Sequence, residues 1–350
     1  MLSSADQFVG QPLARRLLDG YLRKGRVGGT FLFTGERGLG KTTLATIFAR
    51  AIVCEKNKEQ PKLWFCGECY ACRTIAAGEQ PEYIELRPVG KYYHVEDFVS
   101  ALSTEAGRLD RPMMYPVLLS HRIFLFSEAH LIGDVIGDKL LKVLEEPPET
   151  TIFLLDTDKP QQMLDTIRSR GNPIRLSSIA PPDMEVAMRA THPTASSADI
   201  SEAMLLGGGR FVETSLLVRG KHWRASIKGL ATALEQTRGI PEAAQRASEF
   251  GVESFWLREV AARNLEEDDA NAMLRSSAAK KEGTPEYELE RRRRELSREA
   301  LIASYSYAVK FLVDGGYRNP NFLPQLAKLK QRINQNVDPL LSQVAFENAL

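Results

Sequence analysis

The feature that most constrains this chain is a glycine-rich segment, Gly35–Thr43, which reads GERGLGKTT. The apolar, β-rich run Thr30–Thr34 precedes it, and apolar residues recur at helical spacing from Leu44 to Ala51. A strand, a glycine loop and a helix in this order are the context of a Walker A motif, whose backbone N–H groups bind phosphate. The sequence therefore predicts a nucleoside triphosphate site on an α/β domain with a buried parallel strand. A glycine turn that merely joins strand to helix is the alternative.

Several residues of this segment have a predicted role in binding ATP and Mg²⁺. Glycines allow the backbone to turn tightly and to point its N–H groups inward. Lys41 supplies a positive charge to the β- and γ-phosphates, and Thr42 supplies a hydroxyl to Mg²⁺. The predicted nucleotide-binding residues of the segment are Gly35, Gly38, Gly40, Lys41, Thr42 and Thr43.

The amino-acid composition excludes several classes of protein. The 350 residues suffice for two or three domains, and the hydrophobic (43%) and charged (26%) fractions are those of ordinary globular proteins, which excludes disordered and fibrous classes. The net charge of +1 predicts no global attraction to nucleic acid or to an anionic membrane. No apolar run reaches the ~18–20 residues that span a bilayer, and the N-terminus lacks a signal-peptide pattern. We therefore expect a cytoplasmic protein without membrane contact.

All four cysteines lie within residues 54–72, at Cys54, Cys66, Cys69 and Cys72. The last three have the short spacing that tetrahedral zinc favours, and Cys54 can close the site from the end of the helix after the glycine loop. This pattern predicts a Zn²⁺ site with four thiolate ligands, and reduced, metal-free thiols are the alternative. A reducing cytosol disfavours disulfides. Four protein ligands leave no open coordination position, so the metal is expected to be structural rather than catalytic.

A second apolar run, Ile123–Phe126, ends at the polar pair Ser127 and Glu128. In parallel α/β sheets, ligands bind at the carboxyl ends of the strands. A Walker B strand normally ends with an acid that holds Mg²⁺, followed by a base for the attacking water. Glu128 can be that base, but Ser127 stands where the magnesium carboxylate is expected, which predicts a weakened Mg²⁺ site. A core strand that simply ends in polar residues is the alternative.

The remaining pattern up to residue 176 alternates strands and helices. Prolines at 147 and 148 end one of the helices, and Thr157 follows a buried strand. Arg170 closes another helix, where an arginine is often only solvated and favourable to the helix dipole. We expect strands at residues 82–88 and 151–156, and helices at residues 95–106, 137–144 and 161–170.

Five segments occur in an order that resembles bacterial DNA polymerase III clamp-loader subunits of the AAA+ class, namely GERGLGKTT, CGECYAC, SEAH, LLKVLEEPPE and DTIRSRG. The most specific part is LLKVLEEPPE together with the cysteine insertion that follows the Walker A helix. The resemblance implies an AAA+ P-loop core with a parallel sheet at residues 1–176 and a zinc-binding insertion at 54–72. It also implies a small helical lid at 177–219 and an all-α collar for oligomerisation at 220–350.

The resemblance implies roles for single residues as well. Glu128 would be the catalytic base, and Thr157 would sense the γ-phosphate. Arg170 would be an arginine finger that acts in trans on a neighbouring subunit's ATP, although Gly171 stands where the family usually has Cys. Arg210, which follows three glycines, would reach back to the nucleotide as a second sensor, and a solvated arginine after a glycine turn is the alternative.

Within this family the chain looks like the delta-prime subunit, and a gamma/tau-type ATPase motor is the alternative. Gln80-Pro81-Glu82 stands where delta-prime subunits commonly have His-Pro-Asp, and residues 220–234 resemble their first collar helix. Ser127 suits a subunit with degraded ATPase residues, whereas the intact Walker A motif favours a motor. The four arginines at 291–294 suggest DNA contact, but the interleaved glutamates favour a solvated helix face.

The resemblance thus implies a subunit with weak or no intrinsic ATPase activity, acting in a hetero-oligomeric ring. Its expected partners are gamma/tau-type and delta-type subunits, the sliding clamp and, through the assembled complex, primed DNA. Its expected cofactors are ATP, Mg²⁺ at a site weakened by Ser127, and Zn²⁺.

Overall fold

The structure is a computed structural model that describes residues 8–59, 61–88, 93, 116–145, 147–220 and 224–225. The chain divides into two compact units, Met1–Asp183 and Met184–Leu350. The helix expected at residues 95–106, nearly all of the expected collar and the arginines at 291–294 lie outside the described residues.

The first unit is built on a five-stranded sheet in which every pairing is parallel. The order across the sheet is β2-β3-β4-β1-β5. This confirms the expected α/β class with a parallel sheet. It also means that β4 lies between the strand that precedes the glycine loop and the strand that precedes Ser127. The strands are β1 (Gly29–Thr34), β2 (Tyr83–Leu86), β3 (Arg122–Phe126), β4 (Thr151–Thr157) and β5 (Asn172–Arg175).

Helices cover both faces of this sheet. Along β1, Phe31 and Phe33 belong to one buried apolar cluster, whereas Leu32 belongs to another, which contains the buried apolar residues of the helix Asp134–Glu145. Side chains alternate between the faces of a strand, so a strand buried on both faces must be apolar throughout. The helices are α1 (Pro12–Arg23), α2 (Lys41–Val53), α3 (Tyr70–Ala77), α4 (Asp134–Glu145) and α5 (Asp165–Arg168), with 3₁₀ turns at Glu55–Asn57, Ala129–Leu131 and Pro160–Gln162.

The continuous helix expected at residues 161–170 is wrong. The chain forms a 3₁₀ turn, becomes extended at Met163 (φ −73°, ψ 151°) and then forms the single turn of α5. Met163 and Ile167 are both buried in the cluster that contains the apolar residues of α4. Local helical propensity is a weak determinant, and the fold overrides it at Met163 although the spacing of Met163 and Ile167 suits a helix. Arg170 consequently lies beyond the end of α5, in the connection to β5.

Three further helices follow β5 in the described part of the chain. They are α6 (Pro181–Thr191), α7 (Ser197–Gly207) and α8 (Phe211–Arg219). Gly208 and Gly209 have positive φ, and Arg210 is the N-cap of α8 rather than its first helical residue. None of the helices in the described part of the chain combines the length and the apolar character that crossing a bilayer requires.

Candidate functional site

The glycine loop connects the carboxyl end of β1 to the N-terminus of α2. Gly35, Gly38 and Gly40 have φ values of 147°, 86° and 86°, in the region that residues with a side chain rarely adopt. A Cβ on Gly35 would lie 2.7 Å from the carbonyl oxygen of Leu176, and one on Gly40 would lie 2.8 Å from the ring of Phe8. Conformation and space therefore both require glycine at Gly35 and Gly40. The first N–H groups of α2 lack acceptors within the helix, so they are suited to bind phosphate.

Lys41 begins α2 and is buried. Its ammonium group donates a hydrogen bond to the carbonyl oxygen of Glu36 at 3.0 Å, which closes the loop on itself. Burial lowers the pKa of Lys41, while the carboxylates of Asp156 and Asp158 act against that shift. The loop, the helix end and this cation together form a cradle whose donors fit a polyphosphate.

A buried carboxylate, Asp156, connects the start of α2 to the residues that follow β3. The sequence alone did not identify it as a site residue. Asp156, near the end of β4, accepts a hydrogen bond from Thr42 Oγ1 at 2.6 Å. Its other oxygen accepts one from the backbone N–H of Glu128 at 3.2 Å. Burial raises the pKa of Asp156, and the Thr42 hydroxyl and the Lys41 ammonium act against that shift. The signal available in the sequence was an acid within the otherwise apolar run TIFLLD.

Ser127 and Glu128 follow β3 and differ in their surroundings. The Ser127 hydroxyl is buried and has no hydrogen-bond partner among the described residues, whereas Tyr93 donates its hydroxyl to the Ser127 carbonyl oxygen. Glu128 has a φ of 52°, which is unusual for a residue with a side chain. Its carboxylate lies 3.3 Å from the guanidinium of Arg37, with the two side chains 30% and 28% exposed. The predicted base is therefore accessible and paired with a cation from the glycine loop.

Thr157 ends β4 and lies beside Thr34 of β1, at the start of the glycine loop. Its buried hydroxyl contacts His130 Nδ1 at 3.0 Å and accepts the N–H of Lys159, also at 3.0 Å. The predicted sensor is thus at the same edge of the sheet as Lys41.

The two arginines with predicted roles at ATP sites, Arg170 and Arg210, contact groups outside the glycine loop. The Arg170 guanidinium donates to the Thr166 carbonyl oxygen at 2.7 Å and to the carboxylate of Glu145, the last residue of α4. Arg210 belongs to the second unit, where its Nε donates to the carbonyl oxygen of Gly207 at 3.2 Å. The structure therefore brings together Lys41, Thr42, Glu128 and Thr157 at one sheet edge, but it holds Arg170 against α4.

The four cysteines also meet, as expected. Their sulfur atoms all lie within 4.8 Å of one another, and none is in a disulfide. With Zn–S bonds of ~2.3 Å, a tetrahedral site needs sulfur atoms ~3.8 Å apart, so the cluster could hold a metal ion with small adjustments. Local structure sets the positions, because Cys54 is the C-cap of α2, Cys69 is the N-cap of α3 and Cys72 is in the first turn of α3.

Burial and backbone donors have opposite effects on the pKa values of the thiols in this cluster. Burial opposes ionisation of Cys66, but backbone N–H groups of Cys69 and Glu68, at 3.3 and 3.4 Å from its sulfur, outweigh that effect and lower the pKa of Cys66 to about 7. Burial raises the pKa of Cys54 and of Cys72. Buried thiols of this kind become thiolates when a metal replaces their protons.

Comparison with known proteins gives one family and several relatives. The family described as "DNA polymerase III, delta subunit" matches residues 10–180. DNA polymerase III subunit gamma/tau of Mycobacterium tuberculosis is 34% identical over 176 residues, which are 50% of this chain and 29% of the relative. DNA polymerase III subunit delta' of Bacillus subtilis is 27% identical over 230 residues, which are 65% of this chain and 66% of the relative.

Among solved structures, a DNA polymerase III gamma subunit-related protein from Thermotoga maritima aligns with a TM-score of 0.45 and 12% identity, over 97% of this chain and 98% of that chain. The mycobacterial gamma/tau relatives are much longer proteins, since this chain spans only 29% of their length.

Proposed function

We propose that this chain is a delta-prime-type subunit of a clamp loader, because residues 10–180 match the family described as "DNA polymerase III, delta subunit". It would help the ATP-dependent loading of a sliding clamp onto primed DNA. In this proposal residues 1–176 are an AAA+ core, residues 177–219 a helical lid and residues 220–350 a collar. The collar would assemble the chain with gamma/tau-type and delta-type subunits in the cytoplasm.

One observation carries the nucleotide part of the proposal: the glycine loop, Thr42, Asp156 and Glu128 meet at the carboxyl edge of adjacent parallel strands. The loop N–H groups and Lys41 would hold the phosphates of ATP, and Thr42 would hold Mg²⁺. Bound Mg²⁺ would neutralise charge on the β- and γ-phosphate oxygens. Glu128 would orient the attacking water.

The surroundings of Glu128 support slow turnover. A general base must present its carboxylate to the attacking water. The contact of 3.3 Å between Arg37 and Glu128 therefore opposes that role. Directly after β3 the chain also carries Ser127, where a Walker B strand normally has the acid that holds Mg²⁺. Both features favour a subunit that binds ATP and serves mainly as a scaffold.

The second candidate is a gamma/tau-type ATPase motor. It is favoured by the intact glycine loop with Lys41 and Thr42, and by the 34% identity to a gamma/tau subunit. The two candidates differ in a measurable quantity, the turnover of ATP by the isolated chain. A scaffold should hydrolyse ATP well below ~1 s⁻¹, whereas a motor should approach the range of working enzymes.

The cysteine cluster and Arg170 have separate proposed roles. Cys54, Cys66, Cys69 and Cys72 would hold one structural Zn²⁺, which would tie the end of α2 to the start of α3. Arg170 would act in trans at a neighbour's ATP, and its ion pair with Glu145 would hold the guanidinium on the surface until the ring assembles.

Copurification from native cells tests the assignment as a whole. The full-length chain, tagged at one end, should recover gamma/tau-type and delta-type subunits, identified by the mass of the intact complex and of its components. The chain tagged at the opposite end is the control for a tag that blocks assembly. Recovery of either tagged chain alone, or with partners unrelated to replication, would contradict the proposed function.

A further inference from the structure

The end of β4 occupies a position in the sheet that the motif pattern alone does not reveal. Since β4 lies between β3 and β1, its last residues are nearer to the glycine loop than those of β3. Asp156 is in register with Phe33 of β1, one residue before the pair formed by Thr157 and Thr34. An acid on β4 can therefore reach α2 from the strand next to the loop.

Asp156 and Ser127 differ in their hydrogen bonds. Thr42, the predicted Mg²⁺ ligand, donates its hydroxyl proton to Asp156 at 2.6 Å. The hydroxyl of Ser127 is buried without a hydrogen-bond partner among the described residues. A hydroxyl that donates its proton to a carboxylate keeps its lone pairs available for a cation. The acid of a Walker B strand normally orients the Mg²⁺ ligands in this way. Ser127 has no carboxylate with which to do so.

A purely structural role for Asp156 explains these contacts less well. An asparagine or serine could accept the Thr42 hydrogen bond and anchor α2 to the sheet. A buried carboxylate adds the cost of removing a charge from water, and that cost is offset by hydrogen bonds and by nearby positive charge. Lys41 and Arg87 supply part of that charge, and a divalent cation beside Thr42 would supply more.

We propose that Asp156 is the residue that orders Mg²⁺ in this site, replacing the acid that β3 lacks at Ser127. The carboxylate does so by holding the hydroxyl of Thr42 and, through its other oxygen, the backbone of Glu128. This inference rests on the proposed nucleotide-binding function. It relocates the metal-ordering acid from β3 to the adjacent strand β4.

The test measures nucleotide affinity, so it does not depend on hydrolysis. Binding of a fluorescent ATP analogue to the full-length chain is titrated in Mg²⁺ and again in EDTA. The ratio of the two dissociation constants is the Mg²⁺ enhancement. For Asp156→Asn we expect affinity in EDTA within ~2-fold of wild type and an enhancement reduced roughly 10–100-fold, the usual cost of losing a group that orients metal ligands.

Asp158→Asn is the matched control, because it removes the same charge two residues away. Its carboxylate lies 3.8 Å from His130 Nδ1 and is 22% exposed, and we expect it to keep the enhancement. Should Asp156→Asn fail to fold, Asp156→Glu retains the charge but moves the carboxylate by one methylene. That variant should lose the enhancement several-fold.

The outcomes separate the two proposals. An Asp156→Asn variant, or failing that an Asp156→Glu variant, that keeps the wild-type enhancement would overturn the assignment of Asp156 alone. A wild-type chain that binds the analogue equally well in Mg²⁺ and in EDTA would also overturn it. A wild-type chain that binds no nucleotide in either condition would overturn the proposed nucleotide function, and this inference with it.

Discussion

Removing one thiol from the cysteine cluster should release the metal without disturbing the nucleotide site. The change is Cys69→Ser, at a buried residue whose own N–H donates to the sulfur of Cys66. Serine keeps the size of the side chain and the N-cap position of α3, but its hydroxyl is a poor zinc ligand. The expected consequence is loss of Zn²⁺ and loosening of the segment between α2 and α3.

The expected loss of zinc affinity follows from the number of ligands. Structural zinc sites bind with about 10–16 kcal/mol at neutral pH, so each of four equivalent thiolates contributes about 2.5–4 kcal/mol. At 1.4 kcal/mol per tenfold change, one missing thiolate weakens binding by roughly 10²–10³-fold. The cluster starts at the far end of α2, and the 13 residues of that helix place Lys41 roughly 18 Å from it at 1.5 Å per residue. Affinity for ATP should therefore change by less than ~2-fold.

The assay counts metal released by denatured protein to a chromophoric chelator. Wild type should release about one Zn²⁺ per chain, and Cys69→Ser should release far less after dialysis. Glu68→Gln is the control from the same loop, because its side chain is 75% exposed and pairs only at the surface with Lys56. Metal-free wild-type protein whose four thiols all react rapidly in the folded state would refute the reasoning.

Three further predictions concern the sheet edge and the arginine beside α4. Lys41→Ala should abolish detectable ATP binding because it removes the charge in the cradle, and binding within ~2-fold of wild type would exclude Lys41 as a phosphate ligand. Arg37→Ala should raise ATP turnover of the isolated chain several-fold by releasing Glu128, and unchanged turnover in a variant that still binds ATP would show that the pair does not limit the base. Arg170→Ala should leave this chain's own ATP affinity unchanged but depress clamp-stimulated ATPase of a reconstituted loader. The loss should be partial, because the other subunit interfaces keep their own arginine fingers. Glu145→Gln, which removes only the partner of Arg170, should retain that ATPase, and an equal loss in both variants would point to a structural role.

The sequence by itself determined the elements whose signals are local. A buried strand, a glycine loop and a helix are neighbours along the chain, so their order predicts the conformation that Gly35, Gly38 and Gly40 adopt. The cysteine cluster is equally local, because all its ligands lie within residues 54–72 and the ends of two helices fix their spacing.

Only the tertiary structure decided which distant residues meet at the sheet edge. Asp156 is 114 residues from Thr42 along the chain, and Glu128 is 91 residues from Arg37. No local pattern marks either contact, since each depends on the order in which parallel strands pair. The insertion of β4 between β3 and β1 turns an acid at the end of an apolar run into the partner of the Walker A threonine. The fold likewise overrode the helix expected at residues 161–170, since Met163 is extended although its spacing from Ile167 suits a helix.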